Sequence, residues 1–265
     1  MSLELFIDTH CHLDFKAFDH DRDQVIHAAT KNEINYFVVP SITKNNFQSV
    51  IELANKNKHI IPALGLHPCF IDEHNLEDLS TLESQLIKNN IQIIGEIGLD
   101  KRIPNMEKQI VIFEKQIILA KKLKFPVIIH SVKTHAMIIE ILKNHQFQNG
   151  GIIHAFNGSY EIAIAYLKLG FKLGIGSLLT NPKSKLLTLI PKLPFEAFVL
   201  ESDSPDMPIF NATDKRNTPL SLITTFDHFY NLYSKSKLEI KKQLWHNSLT
   251  ILKLNGKLSE TPRFI

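Results

Sequence analysis

The chain predicts an α/β protein folded as a TIM (β/α)8 barrel. Three observations carry that expectation. Short apolar runs rich in Ile and Val recur eight times, as buried parallel strands do. Helix-like patterns separate them, which is the alternation of βα units. Polar residues suited to chemistry cluster directly after the runs, at what would be strand carboxyl ends. A doubly wound sheet shares the first two features. The third favours a barrel, which brings all strand carboxyl ends to one rim, where active sites of that fold sit.

The first run, Leu3-Glu-Leu-Phe-Ile7, reads as a strand with its apolar part at Leu5–Ile7. The others are Tyr36–Val39, Ile60–Leu64, Ile91–Gly95, Val127–Ile129, Gly151–Ile153, Phe171–Ile175 and Ala197–Leu200. Between them, Ile110, Phe113, Ile117 and Ala120 share one helical face ahead of Pro126. Ile162, Tyr166 and Leu169 share another, and Gly170 is placed to cap that helix at its carboxyl end. Thr218-Pro219 reads as an N-cap followed by proline at the first helical position. Leu222, Phe226, Phe229 and Tyr233 would be the buried stripe of that helix, and a last helix covers about Leu238 to Lys253. No linker or composition shift interrupts the chain, so residues 1–265 read as a single domain.

Asp8-Thr-His-Cys-His12 follows the first strand. Residues two apart on a strand project to one side, so His10 and His12 can meet one ion while Cys11 turns away. A helical metalloprotease pair needs a spacing of four instead. Further donors follow later strands: Glu96 after the fourth, His130 after the fifth, His154 after the sixth and Asp203 after the eighth. Singly, each has an ordinary reading. Glu96 suits a rim salt bridge, His130 and His154 suit helix starts, and Asp203 suits a turn ahead of Pro205. Six of them at strand ends are better explained as ligands. Imidazole with carboxylate suits Zn, Mn, Fe or Ni rather than Ca. Six donors exceed one tetrahedral site and are enough for two divalent metal ions sharing a carboxylate. Glu201, two residues before Asp203, would share its strand face and hold a ligating histidine in place.

Hydrophobic residues make up 44% of the 265 and charged residues 22%, ordinary for a globular protein. A net charge of +3 is too small to demand a nucleic-acid partner. The two cysteines, Cys11 and Cys69, argue for a reducing compartment and against a disulfide framework. No run approaches the ~20 apolar residues that span a bilayer. The expectation is a cytoplasmic protein with no membrane partner.

The stretches FIDTHCHLDF (Phe6–Phe15), ALGLHP (Ala63–Pro68), IGEIGLD (Ile94–Asp100), FPVIIHS (Phe125–Ser131), GIIHAFNGS (Gly151–Ser159), LGFKLGIG (Leu169–Gly176) and LESDSPDMP (Leu200–Pro208) follow one another along nearly the whole chain. Together they resemble the TatD family of metal-dependent hydrolases and deoxyribonucleases, of the amidohydrolase-like barrel superfamily. The SPDMP ending resembles its YjjV-like branch in particular. The resemblance implies that His10, His12 and Asp203 hold one metal, that His130 and His154 hold a second, and that Glu96 bridges the two. It implies that His67, in the GLHP turn, faces the substrate phosphate or the bound water. Two positions depart from the family pattern. Val132 stands where an arginine follows His-Ser, and Asn157 stands where a threonine is usual.

The activity so implied is hydrolysis of a phosphodiester, as in a TatD-type deoxyribonuclease acting on DNA or another phosphate ester. Two divalent metals (Zn, Mn, Mg, Co or Ni) would activate water, with Asp203 as general base. Lys101, Arg102, Lys133, Lys215 and Arg216 fall in expected rim loops and could attract a polyanion. An ester, lactone or amide hydrolase on the same barrel is the alternative. A metal-binding scaffold without catalysis is the third reading, weakened because a closed structural site usually needs only four ligands.

Overall fold

The computed structural model describes residues 5–258; Leu3 and Glu4 of the expected first strand lie outside them. In chain order the described elements are β1 (Phe6–Asp8), α1 (Arg22–Lys31), β2 (Ile34–Pro40), α2 (Phe47–Lys56), β3 (Ile60–Ala63), α3 (Glu77–Lys88) and β4 (Ile94–Asp100). Then come α4 (Met106–Leu123), β5 (Val127–Val132), α5 (His135–Asn144), β6 (Gly151–Ile153), α6 (Tyr160–Lys168), β7 (Phe171–Ile175), α7 (Leu186–Leu189), β8 (Phe198–Leu200), α8 (Ser221–Tyr230) and α9 (Lys237–Ile251). Strand and helix alternate as the apolar runs predict.

The chain forms two compact units. One runs to Val39 and resumes at Leu173; the other spans Pro40–Lys172. In the first, β1 pairs parallel to β2 through Phe6↔Ile34, Ile7↔Tyr36 and Asp8↔Phe37. β7 pairs parallel to β8 through Leu173↔Phe198, Gly174↔Val199 and Ile175↔Leu200. Phe6, Phe198, Phe226 and Phe229 are buried, and the rings of Phe198 and Phe229 meet edge-on at 5.4 Å. In the second unit, β4 pairs with β5 and β5 with β6, again parallel. Strand side chains buried on both faces explain why these runs are continuously apolar instead of alternating.

β4 lies further along than expected, at Ile94–Asp100 and not Ile91–Gly95. Gly95 and Gly98 look like strand-ending residues in sequence. Here they let backbones approach, since a Cβ on Gly98 would stand 2.0 Å from the His130 carbonyl oxygen. Glu96 and His130 are therefore held inside strands, with β5 running on to Val132. The helix expected from Thr218-Pro219 begins later, at Ser221. Ser221 and Leu222 bond back three residues, to Thr218 and Pro219, so the entry is a tight turn preceding α8. Tyr233 lies past the end of that helix, its hydroxyl donating to the Ile190 and Leu193 carbonyls. α6 ends as expected, and Gly170 takes a φ of +82°.

Candidate metal centre

Each unit carries one group of donors. In the first unit, the chain leaves β1 at Asp8 and does not continue as a strand. The Cys11 N–H donates to the Val38 carbonyl, the His12 N–H to Ser204 and the Asp203 N–H to His10. These bonds tie the β1 and β8 exits together. They bring the Nε2 atoms of His10 and His12 to 3.2 Å from each other. Asp203 Oδ1 lies 3.6 Å from the first and 3.9 Å from the second. His12 stacks on Phe15 at 4.5 Å. The Cys11 thiol turns away and donates to the Val38 carbonyl at 3.7 Å, and burial pushes its pKa well up.

Asp203 takes a φ of +57°, in the left-handed region. β8 has already ended at Leu200, so the pleat rule that would put Glu201 and Asp203 on one face does not reach them. Glu201 is fully buried and lies against β7: a Cβ on Gly174 would stand 2.2 Å from its Oε2. Asp8 is buried beneath the same exits. It accepts from the Ser202 hydroxyl at 2.6 Å, the Ser202 N–H at 2.9 Å and the His10 N–H at 3.3 Å. Burial pushes its pKa up to about 7 despite those bonds.

In the second unit, Glu96 is the hub. Its Oε1 lies 3.0 Å from His130 Nδ1, 3.2 Å from His67 Nε2 and 4.0 Å from His154 Nε2. The other His130 nitrogen meets Asp100 Oδ2 at 3.0 Å. Asp100 is fully buried and is clamped by Arg102, whose Nη2 stands 2.5 Å from Oδ2. Burial raises Asp100, but the hydrogen bonds from His130 and Arg102 outweigh it and hold the carboxyl well below its usual range. Burial lowers His130, yet Asp100 and Glu96 raise it on balance. The Cys69 N–H donates to His67 Nδ1 at 3.1 Å, so neutral His67 carries its proton on Nε2, facing Glu96. His74 Nε2 lies 2.9 Å from the His67 carbonyl and pins that turn. The Cys69 thiol is pushed up to about 12 by burial beside Asp100.

The sequence reading thus named the histidines and carboxylates of both groups, and the structure brings His10, His12 and Asp203 together, and Glu96, His130, His154 and His67 together. It gave no site role to Asp100, Asp8, Ser202 or Cys69, and read Arg102 only as a rim cation for a polyanion. Asp100 had a signal: Glu96, Gly98 and Asp100 are spaced by two and share a strand side. The basic residues divide. Arg102 is engaged with Asp100, and Arg216 forms a two-pronged pair with Asp21 at 2.6 and 2.8 Å. Lys101, Lys133 and Lys215 are exposed. The donor chemistry fits divalent transition metals: two imidazoles and a carboxylate in one group, three imidazoles around a carboxylate in the other. Each group has ring nitrogens within 4.0 Å of a carboxylate oxygen, as a cation site requires.

A parallel α/β fold with such donors defines a class, the metal-dependent hydrolases of TIM-barrel type. Within it the chain belongs to the TatD family, because the family model described as TatD related DNase matches residues 7–253. It is 34% identical to the uncharacterized metal-dependent hydrolase YjjV of Escherichia coli over 93% of this chain and 97% of that one. The crystal structure of that protein superposes with a TM-score of 0.90, covering 96% of this chain and 99% of the other. An uncharacterized metal-dependent hydrolase of Haemophilus influenzae is 36% identical, over 93% of this chain and 98% of its own. The human deoxyribonuclease TATDN3 is 27% identical, over 92% of this chain and 93% of its own. Among the described residues, no helix is long and apolar enough to cross a membrane.

Proposed function

We propose that the protein hydrolyses phosphodiester bonds, with DNA or another phosphate ester as substrate. The observation that carries this reading is the Asp203 carboxylate at 3.6 and 3.9 Å from two imidazole nitrogens, a charged acceptor beside a cation site. The reading treats residues 1–265 as one catalytic domain in the cytoplasm. His10, His12 and Asp203 would hold one divalent ion, His130 and His154 a second, and Glu96 would serve both, in line with the family resemblance. When bound, the ions supply Lewis acidity that lowers the pKa of water. Asp203 accepts the proton of the attacking water. His67, whose Nε2 proton faces Glu96, would turn it toward the phosphate oxygens or the water. Asp100 accepts from His130 and keeps that ring turned so that Nδ1 presents its lone pair to the ion.

The name of the human relative, a deoxyribonuclease, supports phosphate as the reacting group, as do the exposed Lys101, Lys133 and Lys215. Val132 favours a second reading. A lysine nearby cannot reproduce the two-pronged grip on phosphate that an arginine would make there. The same water attack would then serve an ester, lactone or amide carbonyl.

The test pairs elemental analysis of the purified protein with steady-state assays on short DNA and RNA, phosphomonoesters and lactones, each with Mn, Zn, Mg, Co and Ni. Cleavage of a phosphodiester without lactone turnover is the expected result. No cleavage of DNA or RNA with any of these metals defeats the phosphodiester reading.

A further inference from the structure

Cys69 has no part in the chemistry above, yet it stands among its donors. It opens the turn after β3, two residues past His67. Its Sγ and one ring nitrogen each of His67 and His130 lie within 4.8 Å of one another. Asp100 Oδ2 lies 3.7 Å from the sulfur and 3.0 Å from His130 Nε2. These four side chains come from three places in the second unit: the turn after β3, the end of β4 and β5.

We propose that His67, Cys69 and His130 form a second site, overlapping the first at His67 and His130, for a soft divalent cation, zinc or cadmium, which Asp100 completes. Zinc bonds sulfur at ~2.3 Å and imidazole nitrogen at ~2.0 Å, which sets its tetrahedral ligand atoms ~3.5 Å apart. The observed spread, within 4.8 Å, exceeds that by at most about 1.3 Å. The turn itself is held in place by the Cys69 N–H bond to His67 and by His74 on the His67 carbonyl. On binding, the Cys69 thiol loses its proton to solvent and the cation takes the proton's place on sulfur. Both histidines ligate in neutral form; whichever His67 nitrogen takes the cation, the Cys69 N–H bond to Nδ1 is given up.

The thiolate selects the ion. Sulfur favours zinc and cadmium, whereas magnesium and manganese favour oxygen donors. The Glu96, His130 and His154 group offers no sulfur. A soft cation at Cys69 withdraws His67 and His130 from Glu96, so excess zinc inhibits an enzyme loaded with manganese. Cation binding is independent of the hydrolytic reading; the inhibition rests on it.

The test uses the full chain, first stripped of metal and then saturated with manganese. Cadmium is titrated in, and the thiolate-to-cadmium charge-transfer absorption is recorded. The wild-type protein gains the band with one equivalent of cadmium; Cys69→Ser and Cys69→Ala lack it. In parallel, zinc is titrated against manganese-supported hydrolysis, each variant referred to its own zinc-free rate. Changing a residue that merely supports a ligand costs ~10- to 100-fold in metal affinity, so losing a ligand raises the inhibitory zinc concentration at least ~10-fold. No band in the wild type overturns the proposal. A band that persists in both variants overturns it as well, and places the thiolate at Cys11. A band confined to the wild type with equal zinc inhibition in all three proteins refutes the inhibitory role. If no substrate is hydrolysed, the functional reading fails while the absorption still decides the site.

Discussion

Gly174→Ala tests whether buried Glu201 is held against β7. The glycine sits in β7 opposite Val199. A Cβ there would lie 2.2 Å from Glu201 Oε2, 2.8 Å from its Cδ and 3.2 Å from Oε1. Favourable heavy-atom contact begins near ~3.5 Å, so the carboxylate must retreat by about 1 Å. Glu201 has no exposure to retreat into. Over-packing of this kind costs ~1–3 kcal/mol. Replacing a strand glycine by alanine returns ~0.5–1 kcal/mol of backbone entropy. Mid-range values leave a net loss of ~1 kcal/mol, and at ~2–4 °C per kcal/mol the melting temperature falls by ~2–4 °C. Denaturant melts of metal-free wild type, Gly174→Ala, Glu201→Ala and the double variant measure it. The alanine should cost little once Glu201 is truncated, so the double-mutant cycle should show coupling of ~1 kcal/mol or more. An undiminished loss in the Glu201→Ala background, or no loss in the first place, refutes the packing argument.

Three further outcomes are expected. Asp203→Asn keeps size and an oxygen donor but cannot take a proton, so it should fold, retain metal and turn over at least ~10²-fold more slowly. Glu201→Gln should keep most of its turnover at saturating metal; kcat and metal content of both variants decide, and the reverse ranking refutes Asp203 as base. Chelation should abolish hydrolysis, and divalent metals should restore it to different degrees; full activity in verified metal-free protein contradicts the metal requirement. His135 is pushed down to about 4 by burial. Its unfolded pKa is ~6.5, so between these values only the unfolded chain takes the proton. This stability term is complete above pH 6.5 and is lost as pH falls toward 4. Partial exposure trims its full size to ~1–3 kcal/mol. His135→Gln should flatten the pH dependence of unfolding free energy across that window, and parallel profiles for the two proteins would count against it.

Periodicity and residue type were enough to read the alternation of strands and helices, and to name His10, His12, Glu96, His130, His154 and Asp203. Both signals are local. A buried parallel strand must be apolar wherever it sits, and imidazoles beside carboxylates are scarce in such runs unless they have a use. The registers of β4 and of the β8 exit were not local matters. Gly95 and Gly98 resemble strand breakers until β5 lies against them, and then their missing side chains are what lets β4 continue. Asp203 reaches His10 and His12 through backbone bonds between segments almost two hundred residues apart and a left-handed φ, which no spacing rule contains. The same holds for the residues passed over. Asp100 and Cys69 look like an ordinary strand end and an ordinary thiol. Only packing sets the carboxylate on His130 and the sulfur beside it, because a donor set is defined by distances in space that the chain order leaves open.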